Sequence, residues 1–202
     1  MLTGINFSAT VSDMDKKQLI WEEKSRRKVF ECNIFSVLES CCCPPEAKSN
    51  NNRTRVFSLI DTKDWAIVIP VTENDNGKQF LMVRQWRHGS KELSLEFPGG
   101  VLESGENPQE AAARELFEET GYKPEKIINI GTFSPNPAIM TNRVHFFTAE
   151  NLINTGKQDL DEDEYVNVEF INADEVVKGM GRPPFVHALM GTALALYLQG
   201  SH

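Results

Sequence analysis

The sequence predicts an α/β fold, in which a mixed sheet is flanked by helices and preceded by a small N-terminal β unit. Strand-length apolar runs alternate with a clearly bounded helical segment and end in an amphipathic one, which favours a layered sheet-and-helix domain. A polar stretch at 44–55, rich in Pro and Asn, separates the first β-rich residues from the rest. For 202 residues we therefore expect an N-terminal unit over 1–60 and a main domain over 61–202.

The elements follow from local patterns in chain order. In the N-terminal unit, residues 28–43 and 56–60 are rich in strand formers and predict a hairpin with a long connection. A turn at Asn76-Gly77 joins the first two strands of the main domain, and Pro98-Gly99-Gly100 ends the third. The main domain is predicted to contain strands at 65–71, 80–85, 93–97, 127–133, 144–149 and 165–171, and helices at 108–120 and 184–199.

Composition limits the function classes. The net charge is −8, with 21 basic against 29 acidic side chains, which disfavours nucleic acid and anionic membranes as partners. No apolar run reaches the roughly 20 residues that span a bilayer, and the first fifteen residues lack a signal-peptide pattern. The four cysteines show no zinc-ligand spacing. These features predict a cytoplasmic protein without a membrane or nucleic-acid partner.

The helix at 108–120 has clear boundaries. Asn107 is a favourable N-cap, Pro108 suits the first turn, and Gly121 supplies the C-terminal stop. At 100° per residue, the side chains of Glu115, Glu118 and Glu119 lie in one arc about 100° wide. Three carboxylates this close repel one another unless a cation neutralises them, and oxygen ligands suit Mg²⁺ or Mn²⁺. A solvated acidic face is the alternative interpretation.

The wider segment removes that ambiguity. Residues 100–122 read GVLESGENPQEAAARELFEETGY, which resembles the signature of the Nudix hydrolase family. The positions that carry the resemblance are Gly100, Glu106, Arg114, Glu115, Leu116, Glu118, Glu119, Gly121 and Tyr122. The resemblance implies an α/β/α sandwich in which a loop–helix–loop holds a divalent metal against a diphosphate, while water cleaves the phosphoanhydride bond.

The same resemblance implies roles for individual residues. Glu115 and Glu119 would be the principal metal ligands, joined by the backbone carbonyl of Gly99, with Glu118 as a further ligand. Mg²⁺ is the expected cofactor, with Mn²⁺ as the alternative. Arg114 belongs to the catalytic group as the residue that orients these carboxylates through an ion pair.

A second acidic segment follows at 159–164, where five of six residues are Asp or Glu. A solvated acidic loop is one interpretation. The other comes from the resemblance to the Nudix ADP-ribose pyrophosphatases, in which a similar loop supplies the catalytic base and a metal contact. That correspondence implies Glu162 as the base and Glu164 as a metal ligand, with the neighbouring acids of 159–164 as the alternatives for both roles.

Substrate contacts are predicted on the strands before the signature. Arg84 and Arg87 lie in a segment that resembles the ADP-ribose and nucleotide-sugar branch, and we expect them to contact phosphate or ribose; surface ion pairs are the alternative. Trp65 is the candidate for stacking on the base, with packing in the core as the alternative. The branch commonly has Pro followed by Gly where this chain has Pro137-Ala138, which favours a wider nucleoside-diphosphate-sugar specificity.

These features together predict a metal-dependent enzyme. It would split a nucleoside diphosphate sugar or ADP-ribose into a nucleoside monophosphate and a sugar phosphate. The resemblance also implies a homodimer formed through the N-terminal unit. Two alternatives stay open: a pyrophosphatase for nucleoside triphosphates, and a sensor that binds a nucleotide sugar without cleaving it.

Overall fold

The computed structural model of the chain describes residues 19–45, 54–75, 77–160, 162 and 164–200. They fall into two compact units. One runs to Thr62 and includes Ala138–Thr141, and the other contains Lys63–Pro137 and the residues from Asn142 onward.

The first unit is an antiparallel sheet of three strands in the order β1-β2-β3. These strands are β1 (Glu22–Glu31), β2 (Ser36–Cys43) and β3 (Arg55–Asp61). The predicted pairing of β2 with β3 is present, but the stretch at 28–43 is divided between two strands. A turn makes the division, in which the Cys32 N–H donates to the Phe35 carbonyl at 3.0 Å. Residues 46–53 of the predicted polar loop lie outside the described residues.

The second unit contains a seven-stranded sheet and three helices in its described part. The strands are β4 (Trp65–Asn74), β5 (Gly77–Arg87), β6 (Glu92–Glu96), β7 (Gly99–Val101), β8 (Tyr122–Phe133), β9 (Val144–Asn154) and β10 (Val166–Asn172). The helices are α1 (Pro108–Thr120), α2 (Ala173–Gly179) and α3 (Ala188–Gly200). The main path of the sheet is β10-β5-β4-β9-β8, while β6 pairs with β5 and β7 with β4.

The sheet is mixed, as predicted. β4 and β9 are parallel, whereas the other strand pairs of this unit are antiparallel. Adjacent residues of β4 point to opposite faces, and both faces are buried. Ile67 lies in the core that α2 and α3 cover, whereas Ala66 lies in the core beneath α1. The α/β class predicted from the sequence is therefore confirmed.

Two observed elements were not predicted, and one predicted helix begins later than expected. β7 and α2 were not predicted, because both are too short to leave a periodic pattern. The last helix begins at Ala188 and not at residue 184. The Pro184 carbonyl accepts a hydrogen bond from the Leu95 N–H at 3.0 Å, so this segment is held against β6 before the helix starts. Asn76 of the predicted turn lies outside the described residues.

Within the described residues, no helix has both the length and the apolar composition needed to cross a bilayer.

Candidate active site

Helix α1 is positioned by its own sequence. The Asn107 side chain accepts a hydrogen bond from the Gln109 N–H at 2.9 Å, and Gly121 ends the helix with a left-handed φ of 74°. Ala112 and Leu116 are fully buried against the sheet. The cap, the stop and the apolar face together fix which way the glutamates of the helix point.

Two of those glutamates point inward, against the glycines of β7. The Gly99 N–H donates to Glu119 Oε2 at 2.9 Å. A Cβ added to Gly100 would lie 2.5 Å from Glu115 Oε1, and one added to Gly99 would lie 2.3 Å from the Ala66 carbonyl oxygen. Glycine is therefore required at position 99, where the backbone of β4 leaves no room for a Cβ, whereas a Cβ at position 100 would displace the flexible Glu115 side chain.

Arg114 connects the acidic residues around this strand. Its guanidinium donates to Glu106 through Nε at 2.9 Å and Nη2 at 3.0 Å. Nη1 donates to Glu115 at 2.9 Å and to Glu118 at 2.8 Å, and Nη2 also reaches the Val101 carbonyl at 3.2 Å. One guanidinium thus contacts three carboxylates and the Val101 carbonyl at the end of β7. The catalytic role expected of Arg114 stays a prediction.

The electrostatics of the inward-facing pair are unfavourable for two negative charges. Burial raises the pKa of Glu115 to about 7; Arg114 opposes the rise, while Glu118 and Glu164 add to it. Burial also raises the pKa of Glu119 well above its ordinary range, and the charges of Glu115 and Glu164 raise it further. A bound cation would relieve this repulsion.

The second acidic segment is tied to the end of α1. The Asp159 N–H donates to the Glu118 carbonyl at 2.9 Å, and the Gln158 side-chain amide donates to the Glu119 carbonyl. These bonds use carbonyl groups that the helix end leaves without helical partners. They bring the chain to the carboxylate pair, and Glu164 acts electrostatically on Glu119 as a result.

The predicted base, Glu162, lies on this segment and is exposed. Its acidic neighbours Asp161 and Asp163 lie outside the described residues. The role of Glu162 stays a prediction.

Two predicted substrate contacts have other partners in the free chain. Arg84 forms a two-pronged ion pair with Glu169, with Nε to Oε1 at 2.6 Å and Nη2 to Oε2 at 2.9 Å. Trp65 is half-buried and packs against the core beneath α2 and α3. Their contacts with a substrate stay predictions.

The third predicted substrate contact, Arg87, is paired with Glu96, a residue that was not predicted from the sequence. His187 contacts the same carboxylate. Burial raises the pKa of Glu119, and the positive charge of Arg87 offsets a small part of that rise. The sequence does contain a signal for this pair. Glu96 lies within the apolar strand 93–97, and a buried carboxylate there needs a cationic partner.

The residues present fit a divalent cation. All the side chains that could bind a metal here offer carboxylate oxygens, the ligands that Mg²⁺ prefers. The raised pKa values of Glu115 and Glu119 show that the contacts with Arg114 and the Gly99 N–H only partly offset the cost of burying their charges. In the described part of the chain, no group of three or more His, Cys, Asp or Glu side chains is already arranged to hold a metal ion. Instead, Arg114 donates to the Glu115 carboxylate, and the Gly99 N–H donates to the Glu119 carboxylate.

Comparison with known proteins gives a consistent result. The NUDIX domain profile matches residues 62–189. The ADP-ribose pyrophosphatase of Bacillus subtilis (strain 168) is 41% identical over 160 residues, which is 78% of this chain and 82% of that protein. The methanol dehydrogenase activator of Bacillus methanolicus is 33% identical over 129 residues, covering 63% of this chain and 68% of that protein. A crystal structure of an ADP compounds hydrolase superposes with a TM-score of 0.75 at 20% identity, covering 89% of this chain and 92% of that one.

Proposed function

The chain belongs to the NUDIX family and is a pyrophosphatase, and from this premise we propose that it hydrolyses ADP-ribose or a related nucleoside diphosphate sugar. One observation carries the proposal: two buried carboxylates, Glu115 and Glu119, face the glycines of β7 with raised pKa values. The extensive match to an ADP-ribose pyrophosphatase supports the choice of substrate.

Glu115 and Glu119 would hold Mg²⁺ together with the Gly99 carbonyl, and Glu118 and Glu164 would add ligands. Mn²⁺ is the alternative, because it also prefers oxygen ligands. When bound, the cation would neutralise phosphate oxygens and make phosphorus more electrophilic. The electrostatic effect of Glu164 on Glu115 and Glu119 supports its inclusion in this group.

The remaining roles belong to side chains around the carboxylates. Glu162 takes a proton from the attacking water, and Arg114 keeps the carboxylates oriented. Arg84 and Arg87 bind phosphate or ribose oxygens, and Trp65 stacks on the base. The water oxygen bonds to one phosphorus while the bridging P–O bond breaks, which leaves a nucleoside monophosphate and a sugar phosphate.

A substrate panel tests this proposal. ADP-ribose, several nucleotide sugars and nucleoside triphosphates are incubated with the protein and Mg²⁺, and the products are separated by anion exchange. We expect a nucleoside monophosphate and a sugar phosphate in equal amounts. Pyrophosphate released from triphosphates alone would replace this proposal with the triphosphate pyrophosphatase, and binding without turnover would leave a sensor.

We further propose that the enzyme is a homodimer formed through the N-terminal unit and that it works in the cytoplasm. Large apolar side chains of that unit are exposed, among them Phe30 at 53% and Val56 at 61%. Several large apolar side chains exposed on one small unit support an interface there. The four cysteines are free thiols, which suits a reducing compartment.

A further inference from the structure

Glu96 is a carboxylate in the middle of the core, with only 1% of its surface exposed. Both of its oxygens have partners. Arg87 donates to Oε1 through Nε at 2.8 Å and to Oε2 through Nη2 at 2.6 Å, and His187 Nδ1 lies 2.7 Å from Oε2. A buried carboxylate is tolerated only with such pairing.

The carboxylate stays ionised in this environment. Burial acts to raise the pKa of Glu96, but the hydrogen bonds from Arg87 and His187 outweigh it and lower the pKa to about 2. Glu96 is therefore a permanent acceptor for the Nε–Nη2 edge of Arg87. This geometry fixes the plane of the guanidinium as well as its position, because the two bonds are parallel.

The other edge of Arg87 is available. No hydrogen bond joins its Nη1 to any residue that the structure describes, and 43% of the side chain is exposed. Its partner Glu96 lies three residues before Gly99, whose N–H donates to Glu119 Oε2 at 2.9 Å, so the guanidinium is held beside the strand end that contacts the carboxylate pair. A guanidinium has five N–H donors. Because Glu96 binds only the Nε and Nη2 side of Arg87, the remaining N–H groups can donate to phosphate oxygens.

His187 completes the arrangement from a different part of the chain. It precedes α3, and the Pro184 carbonyl accepts from the Leu95 N–H at 3.0 Å, which fastens this segment beside β6. Glu96 thus receives one bonding partner from β5 and another from the segment before α3.

We propose that Glu96 and His187 are positioning residues that hold Arg87 with its free edge toward the diphosphate of the substrate. This proposal rests on the proposed function, in which Arg87 binds the substrate. It predicts that Glu96 contributes to turnover through Arg87, and not only through the stability of the core.

A double-mutant cycle tests the coupling. E96Q, R87A and the double variant are compared with the wild type for kcat and KM on ADP-ribose with Mg²⁺. We expect E96Q to lower kcat/KM by about 10²-fold, because a misplaced contact of about 1 Å costs that much. The double variant should lose no more than R87A alone. Losses that multiply, or an E96Q variant with full activity, would overturn the positioning role.

Binding supplies a second measurement that does not depend on turnover. The non-hydrolysable α,β-methylene analogue of ADP-ribose is titrated calorimetrically into each variant. E96Q should weaken its binding in the presence of Arg87 and leave binding unchanged in the R87A background. The matched control is E150Q, which makes the same change in an exposed ion pair with Lys126 and should behave as the wild type.

The circular dichroism of each variant is recorded first. If E96Q fails to fold, the same cycle is run with H187A and R87A, since the His187 side chain is 35% exposed and its removal takes away one of the two partners that orient the Glu96 carboxylate. H187A is expected to lower kcat/KM, and full activity of H187A would overturn the positioning role of His187. Multiplying losses in that cycle would equally overturn the proposal. A wild type that cleaves no diphosphate in the panel would overturn the proposed function and this role together. An active wild type with multiplying losses would overturn only this role.

Discussion

Three glutamates of the second unit are almost completely buried, yet their surroundings shift their pKa values in opposite directions. Glu96 has an arginine and a histidine as partners, and its pKa falls to about 2. Burial raises the pKa values of both Glu115 and Glu119, and neighbouring carboxylates add to the rise: Glu118 and Glu164 at Glu115, and Glu115 and Glu164 at Glu119. The first is a carboxylate whose charge is already balanced, and the other two are carboxylates that need a cation.

The low pKa of Glu96 predicts how stability depends on pH. A folded-state pKa of about 2, below the ordinary 4.5, stabilises the fold above about pH 4.5. That contribution is lost as the pH falls toward 2, where the carboxylate gains its proton in the folded state as well. The shift corresponds to about 3 kcal/mol as an upper limit. We therefore expect E96Q to be destabilised most near neutral pH.

Urea unfolding of wild type and E96Q between pH 3 and pH 7 measures this dependence. The difference in unfolding free energy should shrink as the pH is lowered through the acidic range. E150Q serves as the control, because its exposed ion pair contributes little at any pH. A difference that stayed constant or grew in acid would show that Arg87 and His187 do not hold Glu96 ionised.

At the scale of elements, the candidate active site depends on how closely α1 approaches β7. The Gly99 N–H bonds to Glu119, and the backbone of Gly100 lies directly beneath the Glu115 carboxylate. Residues 158 and 159 then fasten the acidic segment to the last turn of the helix. A strand of three residues thereby sets the position of both buried carboxylates.

Gly100→Ala tests this approach. The new Cβ would lie 2.5 Å from Glu115 Oε1 and would push the carboxylate aside. Because a flexible side chain can give way, we expect little loss of stability but a fall in kcat/KM of about 10²-fold. Gly89→Ala is the control, since nothing lies within 4 Å of its added Cβ. Equal activity of the two variants would contradict a carboxylate packed against β7.

Helix α1 could be predicted to the residue because its signals are local: Asn107 caps it, and Gly121 ends it. The helix also carried the metal-binding pattern. β7, the late start of α3 and the partners of Glu96 could not be predicted, because contacts between residues distant in sequence determine them. The Leu95–Pro184 hydrogen bond and the Glu96–His187 contact both span about 90 positions of the chain.

At the scale of the whole molecule, the acidity of the chain is concentrated. Residues 100–122 hold six acids and one arginine, and residues 159–164 hold five acids and no base. The rest of the chain is slightly basic, so the net charge of −8 arises from these two segments and not from the general surface. Bound cations would offset that charge and admit an anionic diphosphate.

The N-terminal unit exposes large apolar side chains. A small sheet of three strands depends on a packed apolar face for its stability, and several large apolar side chains of this sheet remain exposed in the single chain. We expect light scattering on a sizing column to give twice the chain mass of 22.8 kDa for the wild type. Phe30→Asp combined with Val56→Asp should reduce this to one chain. Ile153→Ser, which changes a 52% exposed side chain of the other unit, should remain dimeric. A monomeric wild type would contradict the proposed interface.

The central claim is that carboxylates on α1 hold a metal that drives hydrolysis of a sugar diphosphate. Its most direct test is product analysis of ADP-ribose cleavage, with Mg²⁺, with EDTA, and with Glu119→Gln. We predict AMP and ribose 5-phosphate with Mg²⁺, no products with EDTA, and a rate lowered by about 10²-fold or more for Glu119→Gln, because the metal supplies several kcal/mol. Hydrolysis unaffected by EDTA or by Glu119→Gln would contradict the claim.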